Sequence, residues 1–254
     1  MKGGAETVGG GNKMATTDVR VVMAHGGWAD GSSWARVITG LAAHGIKAVA
    51  APLPLTDLAD DVAALNRTIE RMPGPVTLVA HAYAGAVIGL AQPERVKGLV
   101  YVTAFAPDSG EKLTDLYFRA EPHPEAPKLA PDSANLLWLP DDAFPTAFAQ
   151  NASADDLTML AAVQRPLRFS CMTVPTTGDL LWKQVPTWYL VAEQDRMIVP
   201  TTQRFMAERM KAKIKSHAVD HTPIVTAPAP VIDIILDAVR AISADIDDGE
   251  RKLN

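Results

Sequence analysis

The segment with the clearest chemical meaning is Val79–Gly85, which reads V-A-H-A-Y-A-G. An apolar run precedes it and helical spacing follows it, so it predicts a sharp turn from a strand into a helix. Small residues on either side of the centre, Ala80 and Ala84, let the backbone make this turn without a collision. A nucleophilic hydroxyl at the centre of such a turn would attack carbonyl groups, but Ala82 stands there. A methyl group cannot attack, so this corner offers no nucleophile.

This corner belongs to a regular alternation of strands and helices. Predicted strands occupy residues 19–24, 46–51, 76–80, 96–105, 188–192 and 213–219, and all but the last are largely apolar. Between these strands, apolar residues recur at helical spacing, as at Leu58, Val62, Leu65 and Ile69. Strands that are apolar on both faces and separated by helices indicate a parallel sheet covered on both sides. We therefore predict an α/β fold, with a mostly parallel sheet and helices on both faces.

The alternation stops at Pro107 and resumes near Val185, which predicts an insertion over residues 107–185. Its aromatic residues among prolines and acidic residues suit a mostly helical lid with an apolar underside. Most of these aromatics are expected to pack the lid onto the body, whereas Trp138 and Phe144 are predicted to line a ligand pocket. The core then comprises residues 19–106 and 186–245, with a flexible leader over residues 1–18 and a charged tail over residues 246–254.

Composition excludes several classes of function. A chain of 254 residues, 48% hydrophobic and 21% charged, suits one α/β domain with an insertion. The net charge of −5 makes nucleic acid an improbable partner. No apolar run reaches the length of a membrane span, so no membrane partner is expected. Cys171 is the only cysteine, which rules out intramolecular disulfides and cysteine-based metal clusters.

The remaining expectations concern partners and location. No metal-binding spacing is present, so neither a metal nor another cofactor is expected, and the predicted partner is a small-molecule substrate or ligand. The glycine-rich start, Met1–Lys13, is interpreted as a flexible leader or an expression remnant, with Met14 as the alternative start. A cytoplasmic location is the default prediction, and a homodimer is left open.

The motif A-H-A-Y-A-G at residues 80–85 resembles the G-H-S-Y-G-G turn of the α/β-hydrolase superfamily, with Ala82 at the serine. His25-Gly26-Gly27-Trp28 resembles the H-G-x motif that follows a strand in that superfamily. Residues 28–34 are similar to its small, cofactor-free esterase and hydroxynitrile-lyase branch. This resemblance implies an oxyanion hole formed by the backbone N–H groups of Tyr83 and Gly27, with Trp28 as the next candidate. A tight turn after a strand is the alternative interpretation of the two glycines.

The resemblance also implies an acid after the penultimate strand and a histidine after the last. Asp195 stands at the first position; Glu193 competes for the role, and a salt bridge between Asp195 and Arg196 is the alternative interpretation. His221 follows the final strand, whereas His217 lies within it and is expected to be structural. An imidazole held by a buried carboxylate keeps one tautomer and gains basicity, so the pair would be a proton acceptor.

Four further residues have expected supporting roles. His25 and His81 are predicted to border the substrate pocket and to support the loop and the turn through hydrogen bonds. The phenol of Tyr83 is expected to pack beneath the turn. Cys171 would be a displaced nucleophile only if the lid brought it to His221, and a buried, inert thiol is the favoured interpretation.

Ala82 leaves three hypotheses for function. Loss of the triad serine lowers turnover in a serine protease by roughly a million-fold, so efficient acyl-enzyme chemistry is excluded. In the first hypothesis, a serine was replaced in an esterase-type hydrolase of a small apolar ester or carbonyl compound. In the second, alanine is native and the His221 and Asp195 pair acts directly as general base in a hydrolytic, lyase, isomerase or cyclisation reaction. The third is a non-catalytic binder. Of these three hypotheses, we assign the chain to the first, the esterase-type hydrolase.

Overall fold

Six parallel strands form the central sheet of the computed structural model, which describes residues 19–251. They are β1 (Arg20–Ala24), β2 (Ala48–Ala51), β3 (Val76–His81), β4 (Val96–Val102), β7 (Thr187–Ala192) and β8 (Lys213–His217), in the order β2-β1-β3-β4-β7-β8. Strands β5 (Leu136–Leu137) and β6 (Leu167–Arg168) form a separate antiparallel pair. The predicted fold class is confirmed. The predicted leader and residues 252–254 of the predicted tail lie outside the described residues.

Helices cover both faces of the sheet. They are α1 (Ala35–Ala43), α2 (Leu58–Glu70), α3 (Ala84–Gly89), α7 (Pro200–Arg209), α8 (Pro223–Thr226) and α9 (Pro228–Arg251). Helix α2 shows why the sequence forms them. The Asp57 side chain caps its first turn by accepting from the N–H of Ala59, and Asp60 and Asp61 add negative charge at the same end.

The four inner strands, β1, β3, β4 and β7, are mainly apolar because neighbouring residues pack into two different cores. On one face Val22, Leu78 and Tyr101 pack with α2, α3 and α7. On the other face Met23 and Val79 pack with α1 and α9. Side chains alternate across a strand, so a sheet buried on both sides needs an apolar residue at every position.

The order of the strands places two predicted motifs side by side. From β1 the chain crosses to β2 on one side and then returns to β3 on the other, where Ala24 pairs with Ala80. The carboxyl ends of β1 and β3 are therefore level where the chain connections diverge, which is where α/β sheets form ligand crevices. The loop after β1 carries His25–Trp28, and the turn after β3 carries Ala82.

Residues 107–185, which we call the inserted segment, run between β4 and β7. They include α4 (Leu113–Tyr117), α5 (Ala154–Ala162), α6 (Ser170–Thr173), a π-helical turn (Phe144–Phe148) and the β5 and β6 pair. The segment is tied to the core by side chains, since Arg36 of α1 makes a bidentate contact with Asp156 of α5. Helix α9 continues through residues 246–251, so this part of the predicted charged tail is helical. No helix within residues 19–251 has both the length and the apolar character required to cross a membrane.

Candidate active site

Ala82 occupies a strained corner between β3 and α3. Its φ of 49° lies in the left-handed region, which confirms the sharp turn expected from the sequence. The corner is packed closely on two sides. A Cβ built on Gly26 would lie 2.9 Å from the Ala82 Cβ, and one built on Gly85 would lie 1.9 Å from the carbonyl oxygen of Phe105. Only glycine fits at these two positions without a shift of the backbone.

Two backbone N–H groups beside the corner have no acceptor. Within residues 19–251, neither the N–H of Gly27 nor that of Tyr83 donates a hydrogen bond, and both residues line the same cavity. The N–H of Trp28 differs, because it donates to the carbonyl of Arg165 at 3.1 Å. Trp28, the next candidate predicted as an oxyanion donor, is therefore already engaged by the inserted segment.

His221 and Asp195 form a buried hydrogen-bonded pair. The His221 Nδ1 and Asp195 Oδ2 atoms are 2.8 Å apart, and the two side chains are 2% and 0% exposed. Asp195 is held in turn by the N–H groups of Met197 and Ile198 on Oδ1 and by Nε2 of Gln203 on Oδ2. With Nδ1 engaged, Nε2 of His221 is the ring nitrogen left to exchange a proton.

The competing assignments near Asp195 find other partners. Glu193 forms an ion pair with Arg204 at the surface. Arg196 donates to the carbonyl of Thr146 at 2.6 Å and makes no ion pair with Asp195. His217 is an exposed residue of the edge strand β8.

The loop that carries His221 is fixed through its main chain. Nε2 of His81 and the hydroxyl of Thr103 both donate to the His221 carbonyl, at 2.7 and 3.1 Å. Burial lowers the pKa of His81 to about 3, so its ring is neutral and carries its proton on Nε2. His81 ends β3 and Thr103 follows β4, so the two central strands locate the loop that follows the edge strand.

Tyr83 packs beneath the corner and donates to a buried carboxylate. Its hydroxyl lies 2.7 Å from Oδ2 of Asp61, and Oδ1 of Asp61 accepts from the N–H of Leu55 at 2.7 Å. Burial raises the pKa of Asp61 to about 6. Cys171 lies in the same cluster with its pKa raised by burial to about 12, which describes a buried, unreactive thiol.

A cavity of about 460 Å³ opens over these groups. Its floor consists of Gly27, Ala82, Tyr83 and His221, which follow β1, β3 and β8. Apolar side chains form most of the walls: Trp28, Phe105, Leu137, Leu167, Met172, Met197 and Ile198. The inserted segment completes the mouth with Tyr117, Phe118 and Phe169 and with several residues between 122 and 129. Within residues 19–251, no group of three histidine, cysteine or acidic side chains is arranged to hold a metal ion.

The four residues predicted as the pocket lining lie outside this wall, which corrects that prediction. His25 and His81 are fully buried behind the floor, where Nδ1 of His25 contacts the Gly26 carbonyl at 3.0 Å. Phe144 packs edge-to-face on Phe148 in the core. Trp138 is 47% exposed and donates through Nε1 to Asp132. Residue type identified these aromatics, but the direction of each side chain depends on tertiary packing.

Sequence reasoning missed several residues that shape the site. Asp61 left a detectable signal, because it lies three residues after Leu58 and four before Leu65 on the apolar face of α2. A carboxylate at such a position needs a buried partner. Thr103 and Gln203 left no such signal, since they approach the site only through long-range contacts.

Comparisons with known proteins agree with this architecture. A model of the alpha/beta hydrolase family matches residues 21–234. No curated protein sequence matches the chain. Similar solved structures include polyneuridine aldehyde esterase, with 21% identity over 86% of this chain and 98% of that chain and a TM-score of 0.74. A pyrethroid hydrolase from Sphingobium faniae JZ-2 shows 21% identity over 88% and 98% of the two chains, with a TM-score of 0.74.

A methylesterase from Arabidopsis has 17% identity over 87% of this chain and 99% of its own, with a TM-score of 0.71. Similarities at these identities establish a shared fold. The family match covers both motifs and the segments that carry the His221 and Asp195 pair. The chain belongs to the alpha/beta hydrolase family.

Proposed function

We propose that this protein processes a small, largely apolar ester or other carbonyl compound, with His221 as general base. One observation carries the proposal: an imidazole held by a buried carboxylate and two N–H groups without acceptors meet around one apolar cavity. In this role Nε2 takes a proton, Asp195 orients the ring, and the Gly27 and Tyr83 N–H groups bind the oxygen that gains negative charge. The inserted segment would act as a lid, since it supplies much of the mouth.

The methyl group of Ala82 excludes an acyl-enzyme, so we propose that water reacts directly. His221 removes a proton from water as the water oxygen bonds to the carbonyl carbon, and the carbonyl oxygen becomes an oxyanion on the two N–H groups. The protonated ring then gives its proton to the leaving oxygen as the ester bond breaks. A substrate with an acidic C–H or O–H would instead lose its proton to the same nitrogen, which is the lyase or isomerase alternative.

Restoring the hydroxyl tests whether the site is arranged for acyl chemistry. We expect Ala82→Ser to hydrolyse short-chain nitrophenyl esters at least about a hundredfold faster than the unmodified chain, because base and oxyanion donors are in place. A second substitution, His221→Gln, should abolish the gain, whereas His44→Gln, at an exposed histidine, should leave it intact. A folded Ala82→Ser protein without activity that depends on His221 would overturn the proposal.

A second candidate function is that of a non-catalytic binder. The methyl group of Ala82 favours it, because the cavity can hold a ligand although the corner has no nucleophile. Measurements on the unmodified chain distinguish a binder from an enzyme. If His221 is a general base, His221→Gln should lower the hydrolysis of an activated nitrophenyl ester by about 10²-fold or more, with little change in KM. Hydrolysis by the unmodified chain no faster than in buffer, together with tight ligand binding, would favour the binder.

A further inference from the structure

The cavity is graded from a closed floor to an open rim. At the floor, His221 and Ala82 are 2% and 7% exposed. At the outer end, Phe118 is 68% exposed and Phe169 is 37% exposed, and both still line the cavity. We call the outer end, formed by Phe118, Phe169, His123 and Lys128, the rim. A ligand whose carbonyl lies at the floor must therefore extend past apolar walls toward the rim.

Charge at the rim has one sign. Among the described residues that line the cavity, Lys128 is the only lysine or arginine, and no aspartate or glutamate lines it. Within residues 19–251, no carboxylate forms an ion pair with Lys128, although six other lysine and arginine side chains are paired with one. The acidic neighbours Glu121 and Glu125 lie on the same loop but do not line the cavity.

The loop that carries Lys128 is stiffened by its sequence. Three prolines, Pro122, Pro124 and Pro127, line the cavity and fix their own φ angles, which limits the conformations of the loop. His123 accepts the N–H of Glu125 on Nδ1 at 3.1 Å, so its Nε2 carries the proton and is a second donor at the rim. The rim thus offers a cation and an N–H donor on a restricted loop.

We propose that the ligand of this site carries an anionic group, such as a carboxylate, at the end remote from the reacting carbonyl, and that Lys128 binds it at the rim. This proposal rests on the proposed function, which places the reacting carbonyl at the floor of the cavity. The resulting ligand is amphiphilic, with its apolar body along the walls and its charge in solvent beside Lys128. Because the ion pair between Lys128 and the ligand is partly hydrated, it adds little to the affinity and acts mainly to distinguish anionic from neutral ligands.

Binding to the unmodified chain tests this, since it requires no turnover. Calorimetry with phenylbutyrate and the neutral phenylbutanamide should show the carboxylate binding about two- to fivefold more tightly at low salt, with the preference shrinking as salt is added. Lys128→Met should remove the preference and leave the affinity for the amide unchanged, and Lys128→Glu should reverse it. Lys97→Met is the control, since Lys97 lies near the amino end of β4 and away from the cavity.

Two results would overturn the proposal. One is a carboxylate preference that survives Lys128→Met, which would place the anion at the N–H groups of the floor. The other is equal binding, or no binding, of the two probes. The proposed function is tested separately: it fails if the folded Ala82→Ser protein is inactive, whichever result the two binding probes give.

Discussion

At the scale of single residues, backbone strain recurs at the carboxyl edge of the sheet. Trp28, Leu55, Ala82 and Thr103 all have positive φ, and each follows the carboxyl end of one of the first four strands. A positive φ costs about 1–2 kcal/mol for a residue with a Cβ. The surrounding packing must supply that free energy, so these turns are held in place rather than preferred locally.

The strain at Ala82 predicts an unusual response to glycine. Ala82→Gly should relieve it and leave the free energy of unfolding unchanged or raised by up to about 1 kcal/mol. Ala86→Gly is the matched control, because Ala86 is equally small and buried but lies within α3. It should lower the free energy of unfolding by about 1–2 kcal/mol. Urea unfolding of both variants measures the difference, and equal losses would contradict the strain at Ala82.

The buried carboxylate of Asp61 predicts a dependence of stability on pH. Because burial raises its pKa to about 6, the folded protein holds a proton there between about pH 4 and pH 6 that the unfolded chain has lost. Ionisation of Asp61 therefore weakens the folded state as pH rises through this window. Relative to the unmodified chain, the free energy of unfolding of Asp61→Asn should therefore rise by about 2 kcal/mol between pH 4 and pH 7.

Urea unfolding at several pH values would measure this gain. Asp60→Asn is the control, because Asp60 is exposed and bonds to the Thr56 hydroxyl at 2.9 Å. Its stability relative to the unmodified chain should change little over the same range. Parallel pH profiles for Asp61→Asn and the unmodified chain would contradict the assignment.

At the scale of elements, the site depends on how closely α3 approaches the turn after β4. The N–H of Phe105 donates to the carbonyl of Ala82 at 3.0 Å, and Gly85 leaves room for this contact. The donors at the floor are therefore positioned by backbone contacts between neighbouring elements. Side chains contribute through His81 and Thr103, which locate the loop of His221.

Two glycines of α3 should respond oppositely to alanine. Gly85→Ala would place a methyl 1.9 Å from the Phe105 carbonyl oxygen, so we expect a loss of about 3 kcal/mol or more, or failure to fold. At Gly89 the nearest atoms would be 3.8 Å away, and Gly89→Ala should stabilise the helix by up to about 1 kcal/mol. Thermal unfolding separates the two outcomes. A well-tolerated Gly85→Ala would show that the contact with the turn is looser than described.

Elements of the core were more predictable than the site. Apolar runs predicted the four inner strands because strands buried on both faces need apolar residues on both, whereas the edge strand β8 reads K-I-K-S-H and is mostly exposed. The predicted strand 96–105 ends earlier, at Val102, because Thr103 turns the chain at a φ of 46° while the residues after it stay apolar for packing. The pocket walls could not be predicted, since residues such as Phe118 and Lys128 reach the cavity through the path of a long insertion.

At the scale of the whole molecule, the inserted segment is anchored unevenly. Helix α5 is tied to α1 through Arg36 and Asp156, and Ser153 caps its first turn. In contrast, within residues 120–131 only Glu125 and Ala126 donate their N–H groups to an acceptor in the described chain. The part of the segment that carries Lys128 thus has the fewest hydrogen bonds to resist opening.

This difference predicts a pattern of hydrogen exchange. We expect backbone amides in residues 120–131 to exchange at least about tenfold faster than those of α5, because opening them breaks few hydrogen bonds. Saturating phenylbutyrate should slow exchange in residues 120–131 and leave the exchange rates of β3 and β4 unchanged. Mass spectrometry after deuterium labelling measures both effects. Equal protection of residues 120–131 and α5 would contradict this difference in anchoring.

The left-handed corner at Ala82 also has an evolutionary consequence. Alanine and serine codons of the GCN and TCN sets differ by a point mutation in the first base, and neither side chain requires the neighbouring glycines to change. Because the turn is imposed by Gly26 and Gly85 around it, the fold does not depend on which of the two residues stands there. A chain with this scaffold can therefore exchange a methyl for a hydroxyl at the corner without first changing the packing that holds the turn.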